Sequence, residues 1–396
     1  MRRRQFSAAG AAAIAAGSLA PGAQGQAGAI KIGIVTTLSG PQAGTGREIV
    51  DGFNLGVKHA DGKLGGLATE VLTGDDQFRP DAGKAMAERM VQRDRVDIVT
   101  GIVFSNILLA AVDTVIKDRR GVFYLSANAG PSELAGRDCS PLFFSVSWQN
   151  DNTHEAMGQH LTNTQVKRAY IMAPNYPAGK DALAGFKRFY KGQVVAEVYT
   201  QLGQTDYAAE IATLRAARPD AVYFFYPGGM GIAFVRQCAA AGLIRQIPIF
   251  GPSFSLDQTI LPGIGDAALG LFASTYWSES LQNQANMKFV SDFEASYNRI
   301  PSPYAAQAYD TARLIDAALQ QAGGLANKDK FRDALRQANF DSVRGPFRFN
   351  QNHFPIQNYY LTQIGKDAKG RLVNEMRGVI FSAHADAYAK QCKMKW

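Results

Sequence analysis

From residue 30 onward the chain alternates between short apolar runs rich in Val, Ile, Tyr and Phe and amphipathic stretches of helical period. A period that switches repeatedly from strand to helix builds α/β layers, because each strand is followed by the helix that must cover its sheet. Strands are expected at 30–36, 70–73, 97–103, 122–126, 143–147, 168–173, 194–199, 221–226, 247–251 and 271–276. Helices are expected at 47–60, 81–93, 106–119, 154–162, 181–190, 207–217, 231–241, 286–299, 304–322 and 328–338. Near-continuous apolar runs such as Ala221-Val222-Tyr223-Phe224-Phe225-Tyr226 are those of parallel strands buried on both faces. The chain therefore reads as a doubly wound α/β protein.

The alternation restarts after Phe143-Phe144-Ser145-Val146-Ser147-Trp148-Gln149-Asn150. It changes again at Thr275-Tyr276-Trp277-Ser278, after which long helices follow one another with no strand between them. Helices that arrive without strands have to cover a sheet already built. Two lobes follow: residues 28–147 plus 279–344 in the first, and 148–278 plus 345–396 in the second, joined by several strands instead of one linker. A cleft between such lobes, at the carboxyl ends of their strands, is where open α/β sheets bind ligands.

Ahead of this pattern stands Met1-Arg2-Arg3-Arg4, an alanine-rich apolar run from Ala8 to Ala20 and a small-residue stretch. That is the build of a cleavable export signal, expected over residues 1–27, and it predicts a mature protein working outside the cytoplasm. Twin-arginine and general secretory export read alike here. The formal charge of +8, less three leader arginines, leaves +5, with both signs interspersed and no basic block of the kind that marks a nucleic-acid or lipid surface. Of three cysteines, Cys238 lies in a helical pattern and reads as a buried free thiol. Cys139 and Cys392 both lie in segments poor in regular structure, where a bridge would tie down the tail; sequence alone does not fix the connectivity.

Enzymatic chemistry is hard to place on this chain. His154 and His160 are six apart, off the spacing of a zinc pair, and read as solvated helix residues. There is no Gly-x-Ser-x-Gly elbow, phosphate loop or Cys-x-x-Cys, and Asp75-Asp76 has no further metal ligands nearby in sequence. What the chain does carry is polar and aromatic residues where strands meet helices. In Thr100-Gly101-Ile102-Val103-Phe104-Ser105-Asn106, Ser105 reads as a helix N-cap with unpaired N–H groups beyond it, a seat suited to a carboxylate. Tyr124-Leu125-Ser126-Ala127-Asn128-Ala129 ends another strand with hydrogen-bonding side chains, and Tyr176 and Tyr226 stand on turns at strand ends of the second lobe.

These segments, together with Ile32-Gly33-Ile34-Val35-Thr36-Thr37-Leu38-Ser39-Gly40-Pro41, Gly46-Arg47-Glu48, Asp75-Asp76-Gln77-Phe78-Arg79-Pro80, Tyr176-Pro177-Ala178-Gly179, Phe250-Gly251-Pro252 and Tyr304-Ala305-Ala306-Gln307-Ala308-Tyr309-Asp310, give a chain that resembles the periplasmic solute-binding proteins of the branched-chain amino acid (Leu/Ile/Val) type. The resemblance implies a type I periplasmic-binding-protein fold, two parallel-sheet lobes joined by a three-strand hinge, with no catalysis and no cofactor. It implies a monomer that passes a small ligand to the membrane permease of an ABC importer. Ser105 and Asn128 would hold the ligand carboxylate and Tyr176 would cover it, with Tyr226 near; Phe104, Ser126, Ala127, Gln42, Trp148 and Ser253 complete the expected contacts. Amino-acid binders of this family usually have an acidic residue where Ser253 stands, and a buried ammonium without a charged partner is costly. With Phe78, Phe104, Trp148, Tyr176, Tyr226, Phe254 and Trp277 nearby, the chain looks like the branch that binds benzoate, hydroxybenzoate or hydroxycinnamate. An aliphatic amino acid or amide is the alternative, favoured if Asp257 or Glu279 reaches the cleft; a ligand sensor with a signalling partner is another.

Overall fold

The computed structural model describes residues 29–394, so the expected leader lies outside the described residues. The first sheet is built on β1 (Ile30–Thr36), whose neighbours are β3 (Leu67–Asp75) and β4 (Ile98–Thr100), both parallel to it. β5 (Phe123–Ser126) and β6 (Phe143–Ser145) extend it, and the short β2 (Lys63–Leu64) pairs antiparallel with β3, giving the order β2-β3-β1-β4-β5-β6. Helices α1 (Ala43–Lys58), α2 (Pro80–Gln92), α3 (Ser105–Ile116) and the single turn α4 (Ser132–Ala135) belong to this half of the chain.

The second sheet carries α5 (Asn152–Asn163), β7 (Arg168–Pro174), α6 (Pro177–Phe189), β8 (Gln193–Thr200), α7 (Ala208–Ala217), β9 (Ala221–Phe224), α8 (Gly229–Ala240), β10 (Ile249–Pro252), α9 (Leu261–Ile264) and β11 (Phe272–Thr275). Its strands β8, β7, β9, β10 and β11 are parallel. The chain then forms α10 (Gln284–Tyr297), α11 (Pro303–Ala322) and α12 (Lys328–Gln337) without a strand between them, and α11 packs along α1 of the first sheet. Glycines make that approach close: a Cβ on Gly52 would sit 2.1 Å from the Ala305 carbonyl oxygen, and one on Gly56 would sit 2.6 Å from Ala312 Cβ.

One part of the architecture departs from the expectation. After β12 (Arg348–Phe349) come β13 (Pro355–Lys366) and β14 (Leu372–His384), a long hairpin in which β13 runs antiparallel to both β11 and β14. The second sheet is thus parallel with an antiparallel edge. The turn between them is set by Asp367, whose Oδ1 accepts from the N–H groups of Lys369 and Arg371, and by Gly370 at φ +76°, a left-handed conformation that suits glycine. Among the described residues, no helix is long and apolar enough to cross a membrane.

Three passages of chain join the two sheets, at 146–151, 276–283 and 338–347. Arg344 on the third is buried where they meet. Its Nε donates to Asp310 Oδ2 at 2.8 Å, and its Nη1 donates to the Ser147 carbonyl on the first passage at 2.8 Å and to Gln357 Oε1 at 3.0 Å. Its guanidinium lies 5.6 Å from the ring of Tyr276 on the second passage. Asp310 also accepts from Ser342 Oγ and the Val343 N–H, so the buried carboxylate is fully engaged. Trp277 belongs to this hinge, its Nε1 donating to Asn286 Oδ1 at 2.7 Å. Cys139, between α4 and β6, is disulfide-bonded to Cys392 in the tail that follows β14, while Cys238 is free and buried.

Candidate functional site

Where the strand ends of the two sheets face each other, the lobes close over a narrow cavity that the facing side chains nearly fill, leaving about 10 Å³, room for about one water molecule. The first lobe contributes Val103, Phe104, Ser105, Asn128 and Tyr304; the first hinge passage contributes Trp148 and Asn150. From the second lobe come Tyr176, Ala178, Phe225, Pro227 and Phe254. None of these side chains carries a charge.

The polar end is built on the amino terminus of α3. Phe104, extended at φ −97° and ψ 128°, is the N-cap, so Ser105 is the first helical residue and not the cap itself. The first-turn N–H groups of Ser105 and Asn106 have no acceptor within the helix, and the dipole makes this end electropositive. Ser105 Oγ accepts from Asn150 Nδ2 at 3.1 Å. The Asn128 amide is oriented by two bonds: Nδ2 donates to the Val103 carbonyl at 2.8 Å, and Oδ1 accepts from Gln307 Nε2 at 2.6 Å. A carbonyl can only accept, so Val103 fixes which end is nitrogen, and Nδ2 keeps a second hydrogen to give.

The walls are aromatic. Phe104 faces Tyr176 across the lobes at 6.4 Å between ring centres, and Tyr176 lies nearly parallel to Phe225 at 6.4 Å. Trp148 packs on Phe254 at 4.4 Å, and Phe254 reaches Tyr304 at 5.3 Å. The Trp148 Nε1–H is buried and has no hydrogen-bond partner in the protein, a costly state for a donor unless a ligand or water accepts from it. Tyr176 is extended at the N-cap of α6, followed by Pro177 at the position where a missing N–H costs nothing. Two residues on, a Cβ at Gly179 would fall 1.8 Å from the Pro174 carbonyl oxygen, which is why the Tyr-Pro-Ala-Gly turn needs its glycine.

Ser105, Asn128, Tyr176, Phe104 and Trp148 come together around the cavity, and five other expected contacts do not line it. Tyr226 is turned into the second-lobe core, 4.8 Å from Tyr207 and 5.2 Å from Phe234. Successive side chains at the end of a strand point to opposite faces, so Phe225 takes the cavity side instead. Ser126 and Ala127 are wholly buried behind Asn128, Ser126 Oγ donating to the Ala129 carbonyl at 2.6 Å. Ser253 is buried at the start of a 3₁₀ turn, and its neighbour Phe254 is the residue that reaches in. Gln42 closes the rim: a Cβ on Gly228 of the opposite lobe would be 1.7 Å from Gln42 Oε1. Gly228, at φ +62°, meets both that close approach and the left-handed backbone.

Asn150, Ala178, Phe225, Pro227 and Tyr304 were not singled out as contacts from the sequence. Tyr304 carried a legible signal, since Ser302-Pro303 announces a helix start beside the cleft. His154 reverses its expectation: it is fully buried, its Nδ1 bonded to the Tyr223 hydroxyl, its ring 4.9 Å from Phe225. Burial lowers its pKa to about 3, so it is neutral at the pH of any ordinary assay. Asp75 and Asp76 serve structure, accepting from the Leu38 N–H and from Thr37 Oγ1. Among the described residues, no group of His, Cys, Asp and Glu is arranged to hold a metal ion.

Neither Asp257 nor Glu279 lines the cavity. Asp257 is fully buried, its Oδ1 accepting from the Thr259 N–H at 2.6 Å and its Oδ2 without a partner. Desolvation pushes its pKa up to about 8, with Glu48 and Glu279 adding repulsion. The native state therefore holds a proton that the unfolded chain, with an ordinary carboxylate, releases above about pH 4. Stability from this group is present below that pH and falls as pH rises toward about 8. The melting temperature is expected to drop between pH 5.5 and pH 8, and Asp257→Asn, which cannot ionise, is expected to flatten the slope; an unchanged slope in the variant would exclude Asp257 as its source.

Comparison with known proteins places this geometry. The family model described as periplasmic binding protein matches residues 29–370. A solute-binding protein of an ABC transporter from R. palustris, solved with benzoate, is 31% identical, with 93% of this chain and all of that one aligned and a TM-score of 0.87. A second such protein from Rhodopseudomonas palustris BisB5, solved with 3,4-dihydroxy benzoic acid, is 28% identical over 91% of this chain and 99% of its own, with a TM-score of 0.83. The Leu/Ile/Val-binding protein homolog 6 of Brucella melitensis is 26% identical over 87% of this chain and 90% of its own length. With a matching family model over most of its length, and two lobes closing on one cavity, the chain belongs to the periplasmic binding protein family, a family of type I solute-binding proteins and not of enzymes.

Proposed function

We propose that this protein is an exported receptor that captures a small aromatic carboxylate between its lobes and delivers it to the membrane permease of an ABC importer. The observation that carries the reading is the composition of the cavity wall: rings from both lobes and the hinge, neutral donors at one end, and no acidic side chain to pair an α-ammonium. The first turn of α3, Ser105 and Asn128 supply donors for a carboxylate, and Phe104, Trp148, Tyr176, Phe225 and Phe254 form a slot for a ring. The benzoate and dihydroxybenzoic acid found with the two R. palustris proteins support the same ligand class here. A ligand held by both lobes at once favours the closed form over the open one, which gives the permease a state to recognise.

The test is thermal unfolding of protein freed of carried-over ligand by unfolding and refolding, against benzoate, 4-hydroxybenzoate, 3,4-dihydroxybenzoate and hydroxycinnamate beside leucine, isoleucine and valine. A ligand at about 100 times its Kd stabilises the native state by roughly 2.7 kcal/mol, a shift of a few degrees. Shifts with the aromatic acids alone are the expected result, and a shift with leucine alone would overturn the ligand class. Tyr176→Ala removes the ring that spans the lobes and is expected to weaken binding by about 2 kcal/mol without loss of folding, read by calorimetric titration. An affinity equal to that of the parent protein would take Tyr176 out of the site.

A further inference from the structure

Behind the polar end of the cavity a buried carboxylate of the second lobe reaches into the first. Asp181, on α6, accepts from Ser132 Oγ at 2.8 Å through Oδ1, and from the Ser132 N–H at 3.1 Å through Oδ2. Ser132 opens α4 in the first lobe, so these two bonds cross the cleft. Asp181 Oδ2 also accepts from Asn150 Nδ2 at 3.0 Å, and the same nitrogen donates to Ser105 Oγ at 3.1 Å. Asn150 is itself fixed to the first lobe: its Oδ1 accepts from the Gly130 N–H at 3.0 Å, and its own N–H donates to the Gly130 carbonyl at 2.9 Å. The chain Ser132–Asp181–Asn150–Ser105 therefore runs from an interlobe contact to the seat proposed for the ligand carboxylate with no break.

Among the described residues, no backbone–backbone hydrogen bond joins α4 or the first turn of α3 to α6. Elsewhere on the rim the lobes meet through close steric fits, Gln42 on Gly228 and Pro41 on Gly229, which give shape but little directional hold. The Ser132–Asp181 bonds join α4 to α6, so any separation of those two helices breaks them, whereas a hydrogen bond within one lobe survives it. α4 is held in position for it from behind: the Ala135 carbonyl accepts from Asn352 Nδ2 at 2.7 Å, and Cys139 a few residues on carries the disulfide to the tail.

We propose that Asp181 is the closure latch of this receptor, a positioning residue that locks the lobes together and, through Asn150, orients Ser105 toward the bound carboxylate. The proposal rests on the reading of the cavity as the ligand site. It makes Asp181 act on escape of the ligand more than on its capture, because the latch forms only after the lobes have met.

The test is stopped-flow binding, using whichever of benzoate, 4-hydroxybenzoate or leucine stabilises the parent protein, so the ligand class and the latch can fail separately. Asp181→Asn loses acceptors for buried donors and is expected to raise the dissociation rate about tenfold or more, with the association rate nearly unchanged. Ser132→Ala, from the other side of the cleft, is expected to raise it in the same direction. The double variant is expected to be no worse than Asp181→Asn alone, because the two groups form one contact. A merely structural Asp181 would instead lower the melting temperature of the ligand-free protein and leave the dissociation rate alone. Dissociation rates within about twofold of the parent in both single variants, or additive effects in the double, would overturn the latch; Ser132→Ala carries the test by itself if Asp181→Asn does not fold.

Discussion

Arg344→Ala is expected to lower the free energy of unfolding by about 3–5 kcal/mol, because it leaves the Asp310 carboxylate buried without its charged partner. Both side chains are essentially out of solvent, at 1% and 0% exposure, so water cannot take over the lost bonds. The damage extends beyond the pair. The Ser147 carbonyl and Gln357 Oε1 lose a donor, and the face of Tyr276 loses the cation it stacks against. Denaturant unfolding of the variant should move the midpoint accordingly. Removing both charges together, as Asp310→Asn with Arg344→Met, is expected to recover much of the loss, since the uncompensated charge is the main cost and not the missing attraction. A single variant as stable as the parent would mean that the hinge relaxes to admit water, and the three passages would then be far looser than their packing implies.

Opening the Cys139–Cys392 disulfide is expected to cost about 2–4 kcal/mol. The bond closes a loop of 253 residues in sequence separation, so in the chain-entropy account it restricts the unfolded state strongly. It also ties the tail to the segment before β6, while within the carboxyl-terminal segment Gln351 Nε2 donates to the Ala389 carbonyl and Asn352 Nδ2 to Asp386. Those contacts should fray first. Unfolding of oxidised protein, of reduced protein and of a Cys139→Ala, Cys392→Ala variant would measure the effect; the reduced protein and the variant should agree, and equality of all three would show that the tail is held by its hydrogen bonds alone.

Most of the architecture was legible because parallel strands buried on both faces leave a strong mark, as in Ala221-Val222-Tyr223-Phe224. The β13–β14 hairpin was not, and the reason is physical. An edge hairpin exposes part of one face, which admits Asn358, Gln363, Glu375 and Arg377, and its buried face carries the hydrogen-bonded polar residues Gln357 and Thr362; together they interrupt the apolar run, and the segment does not stand out beside the central strands. Its own signals were there: Tyr359-Tyr360-Leu361 and the Asp367-Ala368-Lys369-Gly370 turn. At the site, Ser105, Asn128 and Tyr176 could be found because each sits where a strand hands over to a helix or turn. Tyr226 and Phe225 could not be told apart, since a strand apolar on both sides carries no alternation to say which face meets the cleft. His154 misled for the opposite reason. α5 begins with a polar stretch, Asn152-Thr153-His154-Glu155, that looks like a solvated turn but is enclosed where the first hinge passage enters the second sheet, with Glu155 paired to Arg188 and His384.

The state of the three cysteine sulfurs also bears on how closure could be watched. Two are locked to each other, and burial pushes the third, Cys238, up to about 12, so at neutral pH it is almost wholly thiol and shielded from reagents. The native chain thus offers a silent background to maleimide chemistry. A single cysteine introduced on the cleft rim would be the one group to take a fluorophore, and lobe movement could be followed as an optical signal without first stripping the protein of its own cysteines.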